Sequence, residues 1–336
     1  MNVIASSLSR RRAPFGFALR AARSSQSAAV LSATDERRFA ERGYLVVPRL
    51  CEPAEVLEIR AALSGLFRDK IGHAEGAQFD MLGLDTDARA MRQPQIVNPG
   101  QFAPQLLATE YFRKVKSIAQ RLLGPDATFS FDHSILKPAR SGSATPWHQD
   151  EAHHTHHFFR YRQISFWLPL QPAPIESGCM RYIPGSHLGD VLPHRNLNDD
   201  PRIHAMECPT EQFDESQAIT RPVSAGACIL HDGRTLHAAM PNTSQEDRFA
   251  YIIAFVSAPQ PVAQNKSSAP QHAVQPASIK QLSITENQRR RRQWLVHGGF
   301  VTVLRRRFQQ GLRSPVKTIL LKLKLLLQMT QQRLNR

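Results

Sequence analysis

The sequence predicts a mainly β fold with flanking helices, of the α+β class. Alternating side chains indicate strands over 128–138, 163–170 and 248–256. Helical patterns occur instead over 53–68 and 110–123, outside the strand-rich part of the chain. A chain of 336 residues with 41% apolar side chains can bury one large core. We therefore expect one sheet-based core with helices packed around it.

The first elements are predicted from capping and turn residues. Ser32 or Thr34 can cap a short helix that ends at Gly43, and 44–47 follows as a strand. Pro53 then begins the helix over 53–68, because proline is favoured in the first helical turn. The chain thus starts with a helix, a strand and a second helix.

Two segments have the composition of loops. Residues 70–105 are rich in Gly and Pro and are expected to form a loop, either a plain surface loop or part of a substrate entrance. Residues 188–222 are polar with scattered Pro and fit a variable loop over an active-site mouth. A tight turn is expected over 184–187, and 225–230 is predicted to be a strand. On the strand 128–138, alternation places one set of residues on a common face: Phe129, Phe131, His133, Ile135 and Lys137.

The most informative motif is Trp147-His148-Gln149-Asp150. On a β-strand alternate side chains point the same way, so His148 and Asp150 can bind one metal ion together. His231 and His237 are the two candidates for a third ligand. Two imidazoles and one carboxylate leave one face of an octahedral iron open for other ligands.

Arg248 favours His237 over His231 as that ligand. It lies eleven residues after His237, and turn formers over 240–244 allow a hairpin that would bring its guanidinium near the metal. A planar guanidinium suits the distal carboxylate of 2-oxoglutarate, whose keto-acid end can occupy two positions on iron.

Five motifs then occur in the order and spacing of one known family: Gly43-Tyr44-Leu45-Val46-Val47-Pro48, Thr145-Pro146-Trp147-His148-Gln149-Asp150, Ile164-Ser165-Phe166-Trp167-Leu168-Pro169-Leu170, Gly178-Cys179-Met180-Arg181-Tyr182-Ile183-Pro184-Gly185-Ser186-His187, and Leu236-His237 to Arg248. Through them residues 32–257 resemble the phytanoyl-CoA dioxygenase family of iron(II)/2-oxoglutarate oxygenases. The resemblance implies a double-stranded β-helix, a jelly roll of the cupin kind. It also implies that His148, Asp150 and His237 bind Fe(II), that Arg248 binds 2-oxoglutarate, and that O2 reacts at the open iron position.

The reaction implied by the resemblance is hydroxylation of a small, lipophilic or acyl-type molecule, with decarboxylation of 2-oxoglutarate to succinate and CO2. Desaturation, cyclisation and epimerisation use the same chemistry and stay open. Lys137 and Trp167 are further candidates for binding 2-oxoglutarate, with a solvated lysine and simple core packing as the alternatives. No catalytic residue beyond the metal ligands is expected.

Two other groups of residues could imitate a metal site. His153, His154, His156 and His157 form a cluster that suggests a second metal, but four such residues cannot all face inward from one strand. We prefer the interpretation that one or two of these histidines line the mouth of the pocket. His73-Ala74-Glu75 is flanked by glycines and lacks β-alternation, so we do not expect it to bind metal.

The formal charge of +15 belongs to the two ends of the chain. Residues 1–31 carry five Arg and no acid, and 286–336 carry thirteen Lys or Arg against one Glu. Removing this +17 leaves a net charge of −2 for 32–285. A nearly neutral domain argues against a nucleic-acid substrate.

We therefore divide the chain into a basic flexible arm (1–31), the dioxygenase domain (32–257), a Pro/Gln-rich linker (258–285) and a basic amphipathic tail (286–336). The tail is expected to bind an anionic membrane surface, with a protein surface or nucleic acid as alternatives.

Four scattered cysteines suit a reducing compartment, so we expect a cytoplasmic protein with peripheral membrane association. If the source is eukaryotic, a mitochondrial presequence is an alternative to the preferred interpretation of residues 1–31 as a flexible basic arm. The alternative function is a catalytically inactive jelly-roll scaffold tethered to a membrane by the tail. The sequence gives no indication of oligomeric state.

Overall fold

A computed structural model of the protein describes residues 31–83, 91–153 and 159–261. The basic tail, nearly all of the N-terminal arm and most of the linker lie outside the described residues, as do His154, His156 and His157. Within the described part, none of the helices has both the length and the hydrophobicity needed to cross a bilayer.

Three α-helices lie in the described residues: α1 (Ala33–Arg42), α2 (Pro53–Arg68) and α3 (Glu110–Leu123). All three match the predicted positions. Ser32 is the residue that caps α1, because its hydroxyl accepts the Asp35 backbone N–H while the Asp35 carboxylate accepts the Ser32 N–H. Gly43 ends α1 with φ of 77°, a left-handed conformation that glycine adopts without strain.

The strands that the structure describes are, in chain order, β1 (Tyr44–Val47), β2 (Gln78–Asp80), β3 (Pro94–Val97), β4 (Thr128–Lys137), β5 (Thr145–His148), β6 (Phe159–Arg160), β7 (Gln163–Pro169), β8 (Met180–Tyr182), β9 (Arg195–Asn196), β10 (Met206–Glu207), β11 (Ile219–Arg221), β12 (Cys228–Asp232), β13 (His237–Ala239), β14 (Arg248–Val256) and β15 (Gln260–Pro261).

Two antiparallel sheets hold most of these strands. The larger sheet has the order β1-β12-β7-β14-β4-β3-β2, and the smaller sheet has the order β11-β8-β13-β5. Side chains from both sheets meet in a shared core; Trp167 and Ile252 of the larger sheet pack in one cluster with Tyr182 and Ala239 of the smaller. The fold is therefore the predicted jelly roll with flanking helices.

Helix α3 covers the outer face of the larger sheet. Tyr111 is fully buried, and its hydroxyl lies 3.5 Å from the Phe166 carbonyl of β7. Phe112 packs against Phe129 and Phe255, with ring centroids 5.6 and 5.9 Å away. The pairing of β4 with β14 shifts between Ala254 and Phe255. Phe129 consequently packs on the helix side, and its predicted place on the face of His133 is wrong, because a bulge changes which way the strand's end faces.

The predicted hairpin between the His237 strand and the Arg248 strand is also wrong. Strand β13 pairs with β5 and β8 in the smaller sheet, whereas β14 pairs with β4 and β7 in the larger. The turn over 240–244 therefore crosses from one sheet to the other. Arg248 still enters the space between the sheets, because its strand starts directly after this crossing.

The two predicted loop segments contain short strands and pack against each other. Leu82 and Met81 of the first contact Ile203 and Ala205 of the second, and the Ala205 N–H donates to the Met81 carbonyl at 3.0 Å. In the first segment, β2 and β3 extend the larger sheet beyond β4. This extension continues the inner wall of the barrel under the second segment.

All four cysteines are buried and free. The last described strand, β15, pairs with β6 and lies beyond Ser257, where we expected the domain to end. The domain boundary itself stays a prediction.

Candidate metal centre

His148, Asp150 and His237 come together between the two sheets. His148 and His237 are direct partners across β5 and β13, with ring centroids 4.2 Å apart. Asp150 Oδ1 lies 3.9 Å from Nε2 of His148 and 3.7 Å from Nε2 of His237. In each residue one donor atom lies within 4.8 Å of the others, and among the described residues this trio alone has such geometry. The site offers two nitrogens and one oxygen to a single metal ion.

Backbone carbonyls fix the orientation of both imidazoles. Nδ1 of His148 lies 2.8 Å from the Pro146 carbonyl, and Nδ1 of His237 lies 2.8 Å from the Thr235 carbonyl. Because a carbonyl only accepts, each Nδ1 carries the proton and each Nε2 presents a lone pair. Burial lowers the pKa of both rings below the ordinary histidine value, most strongly for His237. Both rings are thus neutral ligands at neutral pH.

Asp150 does not lie on the strand, contrary to the prediction from alternation. Strand β5 ends at His148, and Asp150 begins a 3-10 turn that ends at His153. The intervening Gln149 is held in place where the chain changes direction. It is 1% exposed, its Oε1 accepts the Leu192 N–H at 2.7 Å, and its Nε2 donates to the Arg234 carbonyl at 2.6 Å.

Three side chains surround the second carboxylate oxygen of Asp150. Ser165 Oγ donates to Oδ2 at 2.6 Å, while Gln163 Nε2 and His231 Nε2 lie 3.4 and 3.3 Å away. Burial alone would raise the pKa of Asp150, but the hydrogen bond from His231 and the neighbouring imidazoles outweigh it and lower that pKa well below its ordinary value. The carboxylate is ionised, with Oδ1 left for a metal.

Gln163 and Ser165 were not predicted to be part of the site. The available signal was alternation in β7, which places both on the same face as Trp167. His231, the alternative third ligand, lies outside the trio and contacts Asp150 from its far side; Tyr182 Oη lies 3.4 Å from Nδ1 of His231.

Arg248 and Lys137 form a buried cation pair on the inner face of the larger sheet. They are direct partners across β14 and β4, and they are 2% and 0% exposed. Nε and Nη1 of Arg248 are buried without a partner, and its guanidinium lies 5.6 Å from the Trp167 ring centroid. Lys137 Nζ donates to the Ser143 carbonyl at 2.8 Å. The alternative of a solvated lysine is therefore wrong.

The buried cation pair calls for an anion. Burial lowers the pKa of Arg248 to about 10, so the guanidinium stays charged at neutral pH. Burial, followed by the charge of Arg248, holds the pKa of Lys137 well below its ordinary value. A buried cation without a counterion is costly, and no carboxylate of the described residues forms an ion pair with either side chain. A bound carboxylate would supply the missing partner.

The model of one protein family, described as phytanoyl-CoA dioxygenase, matches residues 39–250. A probable alpha-ketoglutarate-dependent hypophosphite dioxygenase from Stutzerimonas stutzeri is 27% identical over 233 residues, covering 67% of this chain and 79% of that protein. The peroxisomal phytanoyl-CoA dioxygenase of Homo sapiens is 22% identical over 242 residues, covering 68% of this chain and 69% of that protein.

A solved structure is also similar to this chain. EvdO2 from Micromonospora carbonacea var. aurantiaca, complexed with 2-oxoglutarate, is 34% identical to this chain with a TM-score of 0.59. The match covers 69% of this chain and 94% of EvdO2. The family match over residues 39–250 includes the metal-binding trio and the buried cation pair.

Proposed function

Since this chain belongs to the phytanoyl-CoA dioxygenase family of iron(II)- and 2-oxoglutarate-dependent oxygenases, we propose that it hydroxylates a small molecule at an iron centre held by His148, Asp150 and His237. The enzyme uses iron(II), 2-oxoglutarate and O2, in keeping with its relatives and with a trio of two histidines and one aspartate. The single observation that carries the ligand assignment is the convergence of these three side chains.

Iron with 2-oxoglutarate and O2 supplies the oxidising chemistry, which converts the co-substrate into succinate and CO2. The residues of this chain bind and orient the reactants. His148 and His237 present neutral Nε2 atoms, and Asp150 presents Oδ1 because Ser165 and His231 occupy its other oxygen. A metal would therefore meet ligands that are already aligned.

We assign the distal carboxylate of 2-oxoglutarate to the buried cation pair. Arg248 has unpartnered donors at Nε and Nη1 that can hydrogen-bond to this carboxylate, and Lys137 lies directly across from it. Trp167 packs under the guanidinium and restricts its orientation. Because the pair is fully buried, water competes weakly for these bonds.

We propose a small substrate with an apolar or acyl-type body. Phe131, Ile135 and Val97 are half-buried and lie on the inner face that β3 and β4 share with the buried cation pair. Half-buried apolar side chains that face the interior are typical of pocket walls. This lining supports the proposal, and the same wall would suit desaturation or cyclisation of such a molecule.

The proposal is tested by succinate formation from 2-oxoglutarate with iron(II) and O2. We expect wild-type protein to form succinate, and His148→Ala and Asp150→Ala to form none. His73→Ala is a matched control, because His73 does not belong to the trio. Continued turnover in either triad variant would exclude the ligand assignment.

We also propose that the tail 286–336, which lies outside the described residues, tethers the enzyme to an anionic membrane surface; the trio and the buried cation pair do not favour the alternative of an inactive scaffold. Binding of the full chain to anionic vesicles, compared with a chain ending at 285, tests the tethering. A cytoplasmic location with peripheral membrane association is likewise a proposal.

A further inference from the structure

The inner face of the larger sheet carries polar side chains that neither the trio nor the buried cation pair uses. His133 of β4 is the direct partner of Ile252, which in turn is the partner of Trp167. Gln95 of β3 is the partner of Ile135, two residues from His133. Partners in a sheet project to the same side, so Gln95 and His133 face the space where Trp167 lies.

Gln95 and His133, the polar pair, contain buried atoms without partners. Gln95 is 8% exposed and its Oε1 has no hydrogen bond. His133 is half-buried, and its Nδ1 is buried without a partner. Buried polar atoms are almost always hydrogen-bonded, and an unmade bond destabilises the fold. Two such atoms on adjacent strands of one face indicate a ligand that completes them.

His133 lies in the same row of the sheet as Trp167, one inward-facing position from the row of Ser165, whose hydroxyl contacts Asp150. It lies four residues from Lys137 along β4, which corresponds to about 13 Å of extended strand. The distal carboxylate of the co-substrate is therefore out of its reach. Burial lowers the pKa of His133 to about 4, and the charges of Asp150, His148 and His231 act on it as well. The ring is neutral and faces the reaction centre.

An apolar wall and a loop surround the polar pair. Phe131 and Val97 flank His133 on the same face, one on its own strand and one as its partner on β3. Phe79 of β2 is the partner of Gln95, and its ring meets His204 edge-on with centroids 4.3 Å apart. His204 belongs to the loop that packs on β2, so the polar pair lies in a covered part of the barrel.

We propose that Gln95 and His133 bind a polar group of the substrate, and that the substrate is amphiphilic: an apolar body that carries a hydroxyl or amide near the carbon to be oxidised. This inference rests on the proposed function and deepens it. A hydroxyl or amide both donates and accepts, so it matches either orientation of the Gln95 amide and either tautomer of the neutral His133 ring. A purely hydrocarbon ligand would leave both side chains unpartnered, so the site should bind such a ligand more weakly than a polar one.

The test uses three probes of similar size: benzyl alcohol, benzamide and toluene. The full chain is loaded with Ni(II) and N-oxalylglycine, an unreactive analogue of 2-oxoglutarate, and the dissociation constant of each probe is measured by NMR titration. We expect the two polar probes to bind about two- to tenfold more tightly than toluene, the range for one neutral hydrogen bond. His133→Leu and Gln95→Leu should each remove this preference without weakening toluene.

Gln78→Leu is the matched control. Gln78 is also buried with an unpartnered Oε1, but its partner is Ile96 and its Nε2 approaches the Phe67 carbonyl of α2, on the opposite face of the sheet. Its variant should keep the preference for polar probes. The melting temperatures of the His133 and Gln95 variants should equal or exceed that of the wild type, because each loses a buried unpartnered atom. His133→Phe and Gln95→Met replace any variant that fails to fold.

Two results would overturn the inference. One is equal affinity of wild-type protein for toluene and the polar probes. The other is weakened 2-oxoglutarate binding in His133→Leu, which would assign the ring to the co-substrate. Succinate formation by the wild-type protein depends on the trio and not on the polar pair. If succinate forms but either of these two results is found, the inference about the polar pair fails while the proposed function holds.

Discussion

Ser165 donates a hydrogen bond of 2.6 Å to Oδ2 of Asp150, and this leaves Oδ1 as the carboxylate oxygen that faces His148 and His237. A serine on the larger sheet thus orients an acid that follows a strand of the smaller sheet. Oriented ligands lose less freedom when a metal binds, so the bond should contribute to iron affinity without touching the metal.

Ser165→Ala should weaken iron(II) binding about 10- to 100-fold, the usual effect of losing a residue that orients a metal ligand. Anaerobic iron titration measures this. Ser134→Ala is the control, because Ser134 is also fully buried but its hydroxyl donates to the Ala250 carbonyl at 2.9 Å. Equal iron affinity in the two variants would contradict the orienting role of Ser165.

Arg248→Met should weaken 2-oxoglutarate binding about 10- to 150-fold, which corresponds to about 1.5–3 kcal/mol for hydrogen bonds to a charged group. Arg248→Lys should restore only part of the affinity, because an ammonium cannot donate two parallel bonds. The dissociation constant comes from the visible charge-transfer absorption of the anaerobic complex. The iron affinity of the Arg248 variants should not change. Arg195→Met is the control: it alters an exposed ion pair and should bind 2-oxoglutarate normally.

Lys137 should make 2-oxoglutarate binding dependent on pH. Its folded pKa is lowered by burial and by Arg248, so the unfolded chain holds one more proton between that lowered pKa and the ordinary lysine value. The stability of the ligand-free protein should therefore rise with pH in this window, by at most about 1.4 kcal/mol per pH unit. A carboxylate beside Lys137 favours its protonation, so 2-oxoglutarate affinity should fall as pH rises through the window.

Lys137→Met should remove both pH effects and weaken 2-oxoglutarate at the acidic end of the range. Calorimetric titrations between about pH 6 and about pH 9 measure the affinity for 2-oxoglutarate in both proteins. A wild-type affinity that is independent of pH, or a variant that keeps the wild-type pH dependence, would exclude the coupling.

Gln149→Leu should free the segment around Leu192 from the trio. The variant loses the acceptor for the Leu192 N–H and the donor to the Arg234 carbonyl, and it leaves both backbone groups without a partner. We expect faster amide exchange over 190–194, measured by hydrogen-exchange mass spectrometry. We also expect weaker iron binding, measured by titration. Unchanged exchange in this segment would show that Gln149 does not hold it.

Much of the fold was predictable because local rules decide it. The Ser32 cap begins α1 and Gly43 ends it, without help from distant residues. Alternation likewise identified β4, β7 and β14, because a sheet with one face on the core and one under helices keeps that period.

The errors came from tertiary pairing. Whether β14 pairs with β13 or with β4 depends on sheet closure, which the turn residues over 240–244 do not encode. The bulge opposite Phe255 and the turn at Asp150 are likewise set by partners far along the chain. The roles of Ser165 and of the polar pair were not identified, because a serine, a glutamine or a histidine becomes part of a site only through what faces it.

The binding of one iron by His148, Asp150 and His237 is tested most directly by anomalous diffraction at the iron edge, from anaerobic crystals grown with iron(II) and 2-oxoglutarate. We predict one strong peak bonded to Nε2 of both histidines and to Oδ1 of Asp150, with the distal carboxylate of 2-oxoglutarate on Arg248. A peak coordinated by His231 in place of His237, or at the histidines around His153, would contradict the account.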